Sequence, residues 1–156
     1  MKKQLILAFV ATGFLFLSSC NKDKKYSNEF SGETWEASSL VIDGVAETVL
    51  PSLEFNDCKI YKETCSGKWE SEGHSHGSGS AEPEVNFAWQ IRDKGKTLEI
   101  SNQTEGEAAV QCWQLSGVYQ LTRNSKTQFD LTSNSTQGYP GKQVVIKLTK
   151  TDDHSH

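Results

Sequence analysis

From Val85 to Arg92 every second residue is large and apolar. Val85, Phe87, Trp89 and Ile91 alternate with Asn86, Ala88, Gln90 and Arg92. Side chains on a strand point to opposite faces in turn, whereas a helix repeats every 3.6 residues, so this octet can bury its large groups together only as a strand. Asp93-Lys94-Gly95 follows as a hairpin turn, and Leu98 and Ile100 continue the same apolar face on the next strand. The theme recurs along residues 31–150. Trp35, Ala37, Ser39 and Val41 share one face of a strand that stops at Asp43-Gly44. Leu53 and Phe55 begin another, and Gly67 and Trp69 lie on a third. Further strands are predicted over residues 111–123, 128–131 and 143–148, the last two separated by the breaker run Gly138-Tyr139-Pro140-Gly141. No convincing helical repeat is present after the first twenty residues.

These segments predict an all-β domain of about eight antiparallel strands joined by short loops. Such strands, apolar on one side and polar on the other, close most economically as an up-and-down barrel, which leaves no exposed sheet edge. A two-sheet sandwich is the alternative. In a barrel the inward set comprises Trp35, Phe87, Trp89, Ile91, Leu98, Ile100, Leu121, Phe129 and Ile146. It is either a packed core or the wall of a cup for a small apolar ligand, because alternation fixes the face and not the volume left inside. Arg123, beyond Leu121 on that face, either caps the barrel mouth or stacks on a ring, with a strand-end surface charge as the plainer reading.

Ahead of the domain, Leu17-Ser18-Ser19-Cys20 closes an apolar run that follows Lys2 and Lys3. This resembles the lipobox of a bacterial lipoprotein: a positive start, an apolar stretch, and small residues before a cysteine. Residues 5–17 fall short of the ~20 apolar residues needed to span a bilayer. The resemblance implies that residues 1–19 are a signal peptide, that Cys20 carries lipid, and that residues 20–30 form a polar tether. It also implies anchorage to an outer membrane, with the folded part in water. Loss of Lys2 and Lys3 with the leader takes the formal charge from −4 to −6, which argues against nucleic acid as a partner and against broad electrostatic binding to anionic lipid. The domain in turn resembles the lipocalin-like lipoproteins of Bacteroidota. The resemblance rests on Gly32-Glu33-Thr34-Trp35, Val41-Ile42-Asp43-Gly44, Leu53-Glu54-Phe55-Asn56 and the final strand from Val144 to Leu148.

With Cys20 committed to lipid, Cys58, Cys65 and Cys112 remain, and in an exported protein they can form one internal bridge. Cys58 with Cys65 is the preferred pairing, stapling the connection between the second and third strands. Pairing of either with Cys112, or no bridge, are the alternatives. Cys112 left over reads as a buried, inert thiol, since no His or Arg lies near it in sequence.

All four histidines fall in two copies of one tripeptide, His74-Ser75-His76 and His154-Ser155-His156. Alternate residues of an extended segment point the same way, so each copy offers two imidazoles to Zn or Cu. Solvated loops are the plainer reading, because the first copy lies in a Gly/Ser-rich stretch and the second in a terminal tail, residues 151–156. In an up-and-down barrel the two copies also hang from opposite ends. No nucleophile elbow, phosphate loop or His-Glu-x-x-His segment is present. Glu70 and Glu72 read as a solvent-facing row, so no catalytic residues are assigned and the domain is expected not to be an enzyme. The expectation is therefore a lipid-anchored barrel holding a small apolar ligand, with metal capture through His74, His76, His154 and His156, or a ligand-free interaction protein, as the other readings.

Overall fold

The computed structural model describes residues 22–59, 63–71 and 84–151. A short helix α1 (Lys22–Phe30) precedes β1 (Glu33–Ile42), a two-residue β2 (Val45–Ala46), β3 (Pro51–Phe55), β4 (Cys65–Ser71), β5 (Val85–Arg92) and β6 (Thr97–Asn102). A 3-10 turn (Glu107–Ala109) then leads into α2 (Val110–Leu115), followed by β7 (Gly117–Arg123), β8 (Gln128–Ser133) and β9 (Val144–Lys150). Each strand from β3 to β9 pairs antiparallel with the next, and β1 pairs with both β3 and β9. Eight strands thus close into an up-and-down barrel, with β2 added beside the end of β1 through Val41–Ala46 and Ile42–Val45. The β1–β9 pairing, from Trp35–Lys150 to Ile42–Val144, is what distinguishes the barrel from a sandwich.

The predicted alternation sets the register. Trp89 lies opposite Ile100, and Ile91 opposite Leu98, so the apolar faces of β5 and β6 coincide. The turn between them is left-handed at Asp93, Lys94 and Gly95, and that after β1 at Asp43 and Gly44. The barrel therefore has two ends. One, called the base here, carries α1, the 56–64 connection and the turns after β5 and β7. The other, the mouth, carries the β1–β2 turn, the segment with α2, and the loop between β8 and β9.

Three expectations need correction. Ser39 and Val41 do not continue the inward face of Trp35 and Ala37, because β1 is irregular between Ala37 and Ser39 and turns Leu40 and Ile42 inward in their place. Residues 22–30 are not a tether but helix α1. Tyr26 and Phe30 stand four residues apart, one helical turn, and this pair gives the otherwise polar stretch an apolar face. Phe30 is fully buried, and Tyr26 meets Phe129 edge-on at 5.7 Å. Residues 111–123 are not one strand either, because the chain runs helically through Leu115 and only then enters β7. Ala109, Cys112, Leu115 and Ser116 are buried at helical spacing, while Val110 and Trp113 face solvent.

Gly67 on β4 is fixed by packing. A Cβ there would stand 2.6 Å from the Glu54 carbonyl oxygen on β3 and against the ring edge of Phe87. Gly67→Ala should lower stability by about 1–3 kcal/mol through overpacking, read from the midpoint of urea unfolding. An unchanged midpoint would show that β3 and β4 are less closely apposed.

Candidate functional site at the barrel mouth

The nine inward residues form a packed core. Trp35, Phe87, Trp89, Ile91, Leu98, Ile100, Leu121, Phe129 and Ile146 are all buried. Toward the base the rings touch one another: Phe30 lies 4.9 Å from Trp35, 4.8 Å from Phe55 and 4.8 Å from Phe129. Phe55 meets Trp89 edge-on at 5.1 Å. Phe30, supplied by α1, thus occupies the centre of an aromatic plug. The helix is held from outside by a two-point ion pair, in which Arg123 Nε and Nη2 donate to the Glu29 carboxylate at 2.9 and 3.1 Å. Asp23 accepts the backbone N–H of Gly95. Arg123 is therefore neither a cap on the mouth nor a free surface charge: it clasps α1 at the base.

Space is found at the mouth. A pocket of about 290 Å³ is lined by the apolar residues Leu40, Ile42, Val49, Ala108, Val110 and Leu115 and by the polar residues Glu47, Ser71, Glu107, Gln111, Gln114 and Tyr139. None of the nine predicted ligand-binding residues lines it. The end of β1 and α2 with the preceding 3-10 turn contribute most of its lining. The hydrogen-bonding of Gln111 explains why α2 stands there. Its Oε1 accepts from Trp69 Nε1 at 3.1 Å and Ser71 Oγ at 2.6 Å, while its Nε2 donates to the Val49 carbonyl at 3.0 Å. One side chain thus ties α2 to β4 and to the segment after β2. On the other flank the Gly138 N–H donates to the Gln114 carbonyl at 3.0 Å, and the Tyr139 hydroxyl meets Gln114 Oε1 at 3.4 Å. Gly138 has no room for a side chain, since a Cβ would lie 2.6 Å from Gln114 Cγ.

The remaining candidates are placed as follows. Cys58 and Cys65 form a disulfide with Cα atoms 5.6 Å apart, at the base. Cys112 is a free thiol on the buried side of α2, where burial pushes its pKa up to about 12. A thiol that remains protonated at neutral pH is neither nucleophile nor ligand. Burial also raises the pKa of Tyr119, whose hydroxyl donates to the Leu115 carbonyl and ties β7 to α2. Cys20, His74, His76, His154 and His156 lie outside the described residues. Ser71, from which the first His-Ser-His segment departs, is at the mouth opposite Pro51, and Lys150, before the second, is at the base opposite Trp35. Among the described residues no group of three or more His, Cys, Asp and Glu side chains is arranged to hold a metal ion.

The site departs from the expectation because its walls come from a connection read as strand. The helix leaves two traces in the sequence: Trp113 stands one residue out of phase with Val110 and Cys112, and Ala109, Cys112 and Leu115 stand three apart. No family model matches the chain, and no curated protein matches it.

Proposed function

We propose that this protein is a lipid-anchored lipoprotein of the cell envelope, resembling the lipocalin-like lipoproteins, that binds a small, partly apolar molecule at the mouth of its barrel. The mouth pocket carries the reading. It combines apolar groups, Leu40 and Ile42, with convergent amide and hydroxyl groups from Gln111, Gln114, Ser71 and Tyr139, the usual composition of a small-molecule site. Its volume lies near the lower end of the ~300–1,000 Å³ typical of such pockets, so the ligand is small. Glu47 and Glu107 stand in the lining with no cationic side chain among its described residues, which favours a neutral or amine-bearing molecule over an anion. Affinity would come chiefly from apolar area removed from water, since Gln111, Ser71, Gln114 and Tyr139 already make hydrogen bonds within the protein. The barrel interior is not the binding volume in this reading, because the aromatic rings there are in mutual contact.

Ala108→Phe tests the location. Ala108 is exposed at the pocket edge, so a ring there fills the pocket without entering the core. A neutral naphthylamine probe that gains fluorescence in apolar surroundings should bind the wild-type domain, residues 21–156, and bind Ala108→Phe at least about tenfold more weakly, a loss of ~1.4 kcal/mol. Ile91→Val, which alters the barrel interior, should bind as the wild type does. Equal binding by Ala108→Phe and the wild type, with weakening in Ile91→Val, would move the site into the barrel.

A further inference from the structure

We propose that the barrel base is a membrane-contact surface, which holds an exposed ring of lysines against anionic lipid headgroups and turns the mouth pocket away from the bilayer. The proposal rests on the lipid-anchor reading above and adds an orientation to it.

Two independent observations carry it. The first is the absence of slack. Helix α1 begins at Lys22, two residues after Cys20, and it is built into the base through Phe30, the Glu29–Arg123 ion pair and the Asp23–Gly95 hydrogen bond. Its packing on the β5–β6 turn is close enough that a Cβ on Gly95 would meet the Tyr26 ring at 2.6 Å. A lipid on Cys20 is therefore joined almost directly to the rigid barrel, not through a flexible chain of ten residues. The end of the barrel from which α1 starts must lie near the headgroups.

The second is the division of charge between the two ends. Lys22, Lys24, Lys25, Lys94, Lys96 and Lys126 are all exposed at the base. Of the carboxylates there, Glu29 pairs with Arg123, Asp23 accepts from Gly95, and Asp93 accepts from the Thr97 hydroxyl. Asp57, Lys59 and Glu63 are exposed on the connection between β3 and β4. The mouth turns are acidic instead: Asp43, Glu47, Glu105 and Glu107 are exposed there, with Lys142 the basic residue among their described positions. The overall acidity of the chain conceals this dipole. An anionic surface attracts the lysine end and repels the carboxylate end, an effect that falls off within a Debye length, about 8 Å at physiological salt. Lipid attachment keeps the base inside that distance, so the charges act where they are strongest.

The experiment uses the full lipidated protein in vesicles of phosphatidylethanolamine and phosphatidylglycerol, with a fluorophore on Asn124→Cys or Asn134→Cys. These exposed positions flank the two ends of β8 and alter no charge, and the buried Cys112 leaves the new thiol to react alone. A strand rises about 3.3 Å per residue, so the labels are separated by most of the barrel height. With a short-range quencher on the lipid headgroups, quenching of the base label should be several-fold stronger than that of the mouth label. The difference should shrink in phosphatidylcholine vesicles, which carry no net charge.

Equal quenching of the two labels on membrane-bound protein, or stronger quenching at the mouth, overturns the orientation while leaving the lipid anchor standing. A large base preference of the same size in both kinds of vesicle overturns the lysine contact. Failure to float with vesicles, together with a measured mass lacking acyl groups, overturns the anchor reading and the orientation with it.

Discussion

Phe30→Ala should destabilise the domain by about 3–5 kcal/mol, the cost typical of removing a buried aromatic ring from a core. Phe30 is fully buried and makes ring contacts with Trp35, Phe55, Trp89 and Phe129, so its loss opens a void bounded by four large side chains. Collapse of the surroundings is limited, because Trp35 and Phe129 are fixed on paired strands and Trp89 Nε1 is held by the Ser66 carbonyl at 2.9 Å. The effect is diagnostic because Phe30 belongs to a segment whose composition reads as linker. A tether residue replaced by alanine would change stability by less than about 0.5 kcal/mol. Chemical unfolding of residues 21–156, followed by tryptophan fluorescence, separates the two outcomes. Tyr26→Ala should cost less, since Tyr26 is only partly buried at the rim of the plug.

Replacing Cys58 and Cys65 together by serine should cost about 2–3 kcal/mol, the chain-entropy value for a loop of this size. The bridge spans seven positions between β3 and β4 at the base. Its loop also reaches the junction of α1 and β1, where the Cys58 N–H donates to Ser31 Oγ at 2.6 Å. The disulfide and the helix therefore support the same end of the barrel. The double serine variant combined with Phe30→Ala should depart from the sum of the separate losses, as changes in contacting elements do. Strict additivity would mean that the helix docks without help from the stapled loop. Non-reducing mass measurement of the wild-type domain gives the complementary check, a mass short by two protons.

Much of the barrel was legible because its signal is local. The octet from Val85 to Arg92 carries its strand identity and inward face in its alternation, and Asp93-Lys94-Gly95 carries the turn, so β5 and β6 followed directly. Closure through β1 and β9 is the more economical of the two arrangements open to eight half-apolar strands, barrel and two-sheet sandwich, because it leaves no exposed edge. The two helices were harder to read for a shared reason. α1 buries two side chains fully, Ser27 and Phe30, and α2 buries Cys112 and Leu115 over six residues. Such short stretches give too few turns for a 3.6-residue period to stand out from a two-residue one. Ala109, Cys112 and Leu115 do stand three apart, and Trp113 falls out of phase with a strand, which is the trace the helix leaves.

The helical course of residues 110–115 also decides where space is found. A strand over residues 111–123 predicts a barrel with no lid, whose hollow would lie in the middle among Phe87, Trp89 and Phe129. Once α2 covers one end and Phe30 fills the other, space remains beside Gln111 and Gln114. No sequence pattern announces the meeting of Gln111 with Trp69, Ser71 and the Val49 carbonyl, because its partners lie 40 or more residues away and the contact exists only after the barrel has closed. The core assignment of the nine inward residues depended only on alternation and was unaffected.

The most direct test of a plugged base and a binding mouth is an amide chemical-shift map of the 15N-labelled domain during titration with the neutral naphthylamine probe. Shifts centred on Val49, Ala108, Gln111, Gln114 and Tyr139, with Phe30, Trp89 and Phe129 unmoved, are the result this account predicts. Shifts centred on Phe30, Trp89 and Phe129, with the mouth residues silent, would contradict it and place the ligand inside the barrel.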